Sequence, residues 1–115
     1  MTFGTDLKEQ RRKTGISQRE LAKKIGVDFS YISKLENDRL PPPSAETIVA
    51  ICGVLEIPPE TLLAGAGKLP GDIQKAIGES KAAQEFLRDA KQLDLSDDEW
   101  SQMRHSLSKL RGDEI

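Results

Sequence analysis

Ser17-Gln18-Arg19-Glu20-Leu21-Ala22-Lys23-Lys24-Ile25-Gly26-Val27-Asp28-Phe29-Ser30-Tyr31-Ile32-Ser33-Lys34-Leu35-Glu36-Asn37 reads as two short helices joined by one glycine turn. Ser17 precedes an apolar-periodic run and Glu20 follows three residues later, a capping box that opens a helix over about 18–25. Gly26 closes that helix, because the left-handed backbone at a helix end costs least without a Cβ. Val27 supplies an apolar plug, and Asp28 is placed to cap a second helix over about 29–36. Leu21, Ile25, Ile32 and Leu35 fall on the inward faces at helical spacing, while the small Ala22 allows a close crossing. Outward on the second helix lies a short row of side chains: Phe29, Ser30, Ser33 and Lys34.

This is the layout of a helix-turn-helix, whose second helix enters the major groove of DNA. The Gln18-x-x-x-Ala22-x-x-x-Gly26 spacing, followed by Ile32-Ser33-Lys34-Leu35-Glu36-Asn37, closely resembles the Cro and phage-repressor type of this motif, the XRE family. The resemblance runs from Phe3 to about Ala64 and implies a five-helix DNA-binding domain. It implies that Gln18 bonds a backbone phosphate and that Ser30, Ser33 and Lys34 reach base edges, Lys34 being matched to guanine. Phe29 departs from the polar residue often found there and suits a thymine methyl instead. Asn37 and Arg39 correspond to phosphate contacts, with Tyr31 and Arg19 as further candidates. Tyr31 serves equally as a packing residue, and a basic helix surface such as Arg19, Lys23 and Lys24 is more often a solvated face than a contact, only proximity to Gln18 raising Arg19 and Lys23. Arg11 and Glu36 match a family pair whose partly buried salt bridge ties helix one to the end of helix three, a structural role.

Charge is distributed in keeping with that expectation. The chain of 115 residues has a net charge of −2, which alone argues against a polyanionic partner. Residues 1–43, however, hold nine Lys/Arg against six Asp/Glu, whereas residues 44–115 hold eight against thirteen. A basic working face on an otherwise acidic body follows. No apolar run approaches the roughly 20 residues needed to cross a bilayer, and no signal-peptide pattern opens the chain. A single cysteine, Cys52, excludes an internal disulfide and fits a reducing cytoplasm.

Outward from the motif, residues 2–14 form helix one, with Phe3 and Leu7 inward and Gly15 as its stop. Pro41-Pro42-Pro43 holds the loop after Asn37 extended. Ser44 caps helix four, whose apolar stripe is Ile48, Ile51, Cys52 and Leu55. Pro58-Pro59 stops it, and Pro59 suits the first turn of a short fifth helix with Leu62 and Leu63. Ala64-Gly65-Ala66-Gly67 is the expected boundary, giving a DNA-binding domain over 1–67 and a helical segment over 68–115, all α. In that segment Pro70 begins a helix to about 78, Ser80 starts another, and Ser96 with Glu99 makes a second capping box for a helix to about Leu110.

The stripe Trp100, Met103, Leu107 and Leu110, with Phe86 and Leu93, is too apolar to be left in water. As a two-fold interface it makes a homodimer that reads a palindromic site; the alternative is core folded back on helices four and five. A different reading makes residues 68–115 an adaptor for a protein partner (a toxin, a peptidase or polymerase), as in antitoxins and stress-controlled regulators of resembling type, with DNA binding as tether. An enzyme has little support. His105 is the only histidine and Cys52 the only thiol, so no His–Cys or His-ligand metal cluster can be built within one chain, and no metal or cofactor is expected. Asp97, Asp98 and Glu99 occupy a first helical turn, which explains them through the helix dipole. A cytoplasmic, dimeric regulator that represses by occupying a promoter is the expectation.

Overall fold

The computed structural model describes residues 2–113. Among the described residues eight helices follow one another: α1 (Phe3–Thr14), α2 (Gln18–Ile25), α3 (Phe29–Glu36), α4 (Ala45–Leu55), α5 (Glu60–Ala66), α6 (Gly71–Gly78), α7 (Lys81–Leu93) and α8 (Asp97–Leu110). Among the described residues there is no strand, so the fold class is all-α. Two compact units divide after Gln74, within α6.

Local chemistry accounts for most of the helix ends in the first unit. Ser17 accepts from the Glu20 amide and Glu20 returns a bond to the Ser17 amide, so two orphan donors are satisfied at the start of α2. Gly15 and Gly26 end α1 and α2 with φ of 80° and 76°, where a Cβ would be penalised. Ser44 caps α4 through the Thr47 amide. Three details differ from the sequence reading. Thr2 lies outside α1 as its cap, forming a reciprocal pair with Thr5. Asp28 has the backbone of a cap residue (φ −75°, ψ 145°), but its carboxylate makes no cap hydrogen bond. Pro59 likewise precedes α5 as its cap residue, and α5 then runs through Ala64-Gly65-Ala66 to end at a left-handed Gly67. The small residues there are helical.

Packing is built on α1 against α3, α4 and α5, with α2 joining α3 and α4. Leu7, Leu21, Ile32, Leu35, Ile48, Ile51, Leu55 and Leu62 are fully buried, and Ile16, Ile25 and Val27 pack partly against them. At about 25 cal/mol per Å² of apolar area removed from water, such burial is the main term holding the unit together.

One contact has no local signature. The carboxylate of Asp38, just past α3, accepts from the Gly4 amide at 3.1 Å and from the Thr2 hydroxyl at 2.7 Å, capping α1 from a position 34 residues away. Asp38 adopts φ 56°, a left-handed conformation that Asp tolerates better than most residues.

Cys52 is wholly buried in α4, a small core hydrophobe. Burial pushes its thiol above the ordinary value, and the Glu60 carboxylate adds to the rise. A raised folded-state value means stability is full at lower pH and falls as pH rises through the ordinary thiol range, where only the unfolded thiol ionises. Native protein is expected to react with a disulfide reagent at least about a hundredfold more slowly than urea-unfolded protein, since labelling requires the core to open. Stopped-flow absorbance measures this; equal rates would contradict the burial.

In the second unit, Ser80 caps α7 through the Ala83 amide, and Ser96 with Glu99 forms a reciprocal box at α8. Asp94 ends α7 in a left-handed conformation at φ 50°. Ala90 is the buried residue of α7, and α6 and α8 bury none. Phe86, Trp100, Met103, Leu107 and Leu110 line an open apolar groove with a volume of about 620 Å³. Trp100 keeps 39% of its surface exposed and Leu110 80%, and Leu93 is still largely exposed.

Candidate nucleic-acid interface

The outward face of α3 stands on a buried polar frame. Arg11 donates from Nε to Glu36 Oε2 at 2.6 Å and from Nη2 to Oε1 at 2.9 Å, a bidentate pair linking α1 to α3. A third bond runs from Arg11 Nη1 to the Ile16 carbonyl at 2.9 Å, holding the α1–α2 turn. The Glu36 side chain is 1% exposed. Its hydrogen bond to Arg11 raises the guanidinium pKa further, against the opposing effect of burial. Gln18 joins the same carboxylate, donating from Nε2 to Glu36 Oε1 at 3.0 Å. Thus α1, α2 and α3 meet at one anion, whose acceptors are all satisfied.

Above this frame lie the residues singled out in the sequence. Phe29, Ser30 and Lys34 are exposed on α3, and Ser33 is half-buried beside them. Tyr31 is half-buried and packs its ring against the core. Asn37 turns back on α3, donating from Nδ2 to the Ser33 carbonyl at 2.9 Å. Arg39 is exposed, its backbone amide closing the end of α3 on the Lys34 carbonyl at 2.9 Å. Arg19 lies over the ring of Phe29, its Cζ 4.6 Å from the centroid, a cation–π arrangement that joins α2 to α3.

Sequence reasoning passed over Lys8 and Arg12. Both line an open recess shared with Ser17, Gln18, Arg19 and Phe29, at the start of α2. They sit four apart on α1, so a basic i,i+4 pair on one helix face was the available signal. Cationic side chains around a helix start suit an anion. Among the described residues there is no cluster of His, Cys, Asp or Glu able to hold a metal ion. No helix among them is long and apolar enough to cross a membrane.

Comparisons with known proteins bear on the family and the fold. The helix-turn-helix family profile matches residues 7–62. An uncharacterized HTH-type transcriptional regulator, RghRB of Bacillus subtilis (strain 168), is 36% identical over 77 residues, covering 64% of this chain and 55% of that protein. The crystal structure of SinR, the master regulator for biofilm formation, in complex with DNA is 35% identical, with a TM-score of 0.51, covering 54% of this chain and 98% of that one. A SinR/SinI protein complex has the same fold over 96% of this chain and 99% of that one, with a TM-score of 0.53 at 24% identity. The chain spans about half the length of the curated relatives it matches. These relatives are regulators, and theirs is a non-enzymatic family. From the buried three-helix frame, the exposed row on α3 and these likenesses together, the chain belongs to the XRE-type helix-turn-helix family.

Proposed function

We propose that this chain is a sequence-specific, double-stranded DNA-binding transcription regulator, a homodimer that represses by occupying a palindromic operator. The observation that carries the reading is the exposed α3 row (Phe29, Ser30, Lys34) standing on the satisfied Arg11–Glu36–Gln18 frame. A recognition helix must be held rigidly for side chains to meet base edges at bonding distance. Residues 1–67 act as the DNA-binding domain and residues 68–115 as the dimerisation or partner-binding segment. Ser30, Ser33 and Lys34 take base edges, while Gln18, Asn37, Arg39 and Tyr31 position the phosphates, joined by Lys8 and Arg12. Gln18 reaches its phosphate with the amide hydrogen that Glu36 does not use. Arg19, stacked on Phe29, stands between the two groups. The protein works in the cytoplasm, beside its DNA.

Binding-site selection from random duplexes at two salt concentrations tests the reading. A defined half-site repeated about 34 Å apart is the expected outcome, and a steep fall of affinity with salt should accompany it. Recovery of no preferred sequence at either salt would reject it. On the selected site, Lys34→Ala is expected to cost about 1 to 3 kcal/mol of discrimination over random DNA. Equal weakening on both DNAs, read by fluorescence anisotropy, would place Lys34 on a phosphate.

The apolar groove of Phe86, Trp100, Met103, Leu107 and Leu110, extended by Leu93, favours the homodimer, since such a surface gains most by removal from water. Truncation after Lys68 is expected to leave a monomer in sedimentation; a truncated chain that still sediments as a dimer would reject this segment's role. The same exposed groove supports a second reading, an adaptor whose C-terminal half captures a protein partner such as a toxin, peptidase or polymerase.

A further inference from the structure

The placement of Arg19 points beyond a phosphate contact. The guanidinium of α2 lies over the ring of the first residue of α3, 4.6 Å from its centroid. Among the described residues, Arg19 has no carboxylate partner. A cation–π contact consumes no hydrogen-bond donor, and among the described residues no hydrogen bond engages the Arg19 guanidinium N–H groups. Phe29 in turn keeps 38% of its surface exposed and lines the same recess as Gln18 at the start of α2. An apolar ring and a planar donor fork are therefore held against each other at the front of the recognition helix.

In the major groove, a fork of this kind matches the N7 and O6 acceptors of guanine, and an apolar surface matches the methyl at C5 of a pyrimidine. Resting on the reading above, we infer that Arg19 and Phe29 act as one unit that reads a 5-methylpyrimidine followed by guanine. Phe29 packs on the methyl while Arg19 donates to the guanine of the neighbouring pair. Thymine supplies that methyl in ordinary DNA, and 5-methylcytosine supplies it in methylated DNA. The stack also restrains the guanidinium before DNA arrives, so less side-chain freedom is lost on binding. Lysine, a compact point charge without a planar fork, cannot replace it. Placing Arg19 among base contacts differs from a phosphate role in one measurable respect: its removal changes which sequence is bound rather than how strongly all sequences are bound.

Full-length protein and the duplex obtained by site selection provide the test. The selected half-site is expected to contain thymine followed by guanine. Replacing that thymine by deoxyuridine should weaken wild-type binding about fourfold, the worth of one buried methyl. The same replacement should leave Phe29→Ala unaffected. With cytosine at that position, 5-methylation should restore the loss, which separates the two sources of the methyl group. Arg19→Lys should keep the salt dependence of the wild type yet lose about tenfold or more of the preference for the following guanine. Equal affinity of wild type for thymine and deoxyuridine duplexes, with selectivity over random DNA intact, overturns this inference and leaves the DNA-binding reading standing. So does an Arg19→Ala variant that lowers the salt slope by about one and keeps the base preference. Failure to select any sequence overturns both.

Discussion

Replacing Arg11 by Met is expected to cost about 3 to 5 kcal/mol of folding stability, the range for stranding one partner of a buried ion pair. The side chains are 10% and 1% exposed, so Glu36 cannot recover its hydration by turning outward. With Arg11 gone, the carboxylate keeps only the Gln18 amide, and the Ile16 carbonyl loses the Arg11 Nη1 donor. The double variant Arg11→Met, Glu36→Leu should be far less damaged than the two single losses combined, because no charge is then left inside. Urea unfolding followed by circular dichroism measures all three variants. Since Glu36 raises the guanidinium pKa above its already high ordinary value, the contribution of the Arg11 charge is present at lower pH and is lost as pH rises through that raised value. A cost below about 1 kcal/mol for Arg11→Met would mean that the pair behaves as a surface one.

Gly4→Ala should be nearly as harmful, at about 1 to 3 kcal/mol, by overpacking. A Cβ at position 4 would run into the Leu35 carbonyl oxygen, and it would lie 2.8 Å from the Glu36 carbonyl oxygen. These are backbone atoms at the end of α3, so relief requires α1 to move away from α3. Movement also strains the Asp38 cap on the Gly4 amide. Gly53 provides a control of opposite sign: nothing lies within 4 Å of its ideal Cβ, and it sits inside α4 with an ordinary φ. Gly53→Ala is expected to stabilise by about 0.5 to 1 kcal/mol through helix propensity. Thermal melting of both variants gives the comparison. If the two shift the midpoint in the same direction, close approach is not what position 4 requires.

Much of this molecule was legible from residues three or four apart. The boxes Ser17–Glu20 and Ser96–Glu99, the stops at Gly15 and Gly26 and the stripe Ile48, Ile51, Cys52 and Leu55 all appear as read. Each is a relation within one helix, so chain order states it directly. Asp28 shows the limit even there, since propensity placed the residue at the start of α3 but did not make its bond. Glu56 and Asp94 end α4 and α7 in left-handed conformations with no glycine to announce them.

Local sequence thus determined which segments are helices and which faces turn inward, because hydrophobic period and capping act over a single turn. The Arg11–Glu36 pair came from likeness to a family; no local spacing in the sequence connects residues 25 apart. Only the tertiary structure brought Asp38 onto Gly4, set Gln18 on the buried Glu36, gathered Lys8 and Arg12 beside the start of α2, and laid Arg19 across Phe29. Those contacts depend on the crossing of whole helices, which is decided by how their buried side chains fill space together rather than by any one segment's preference.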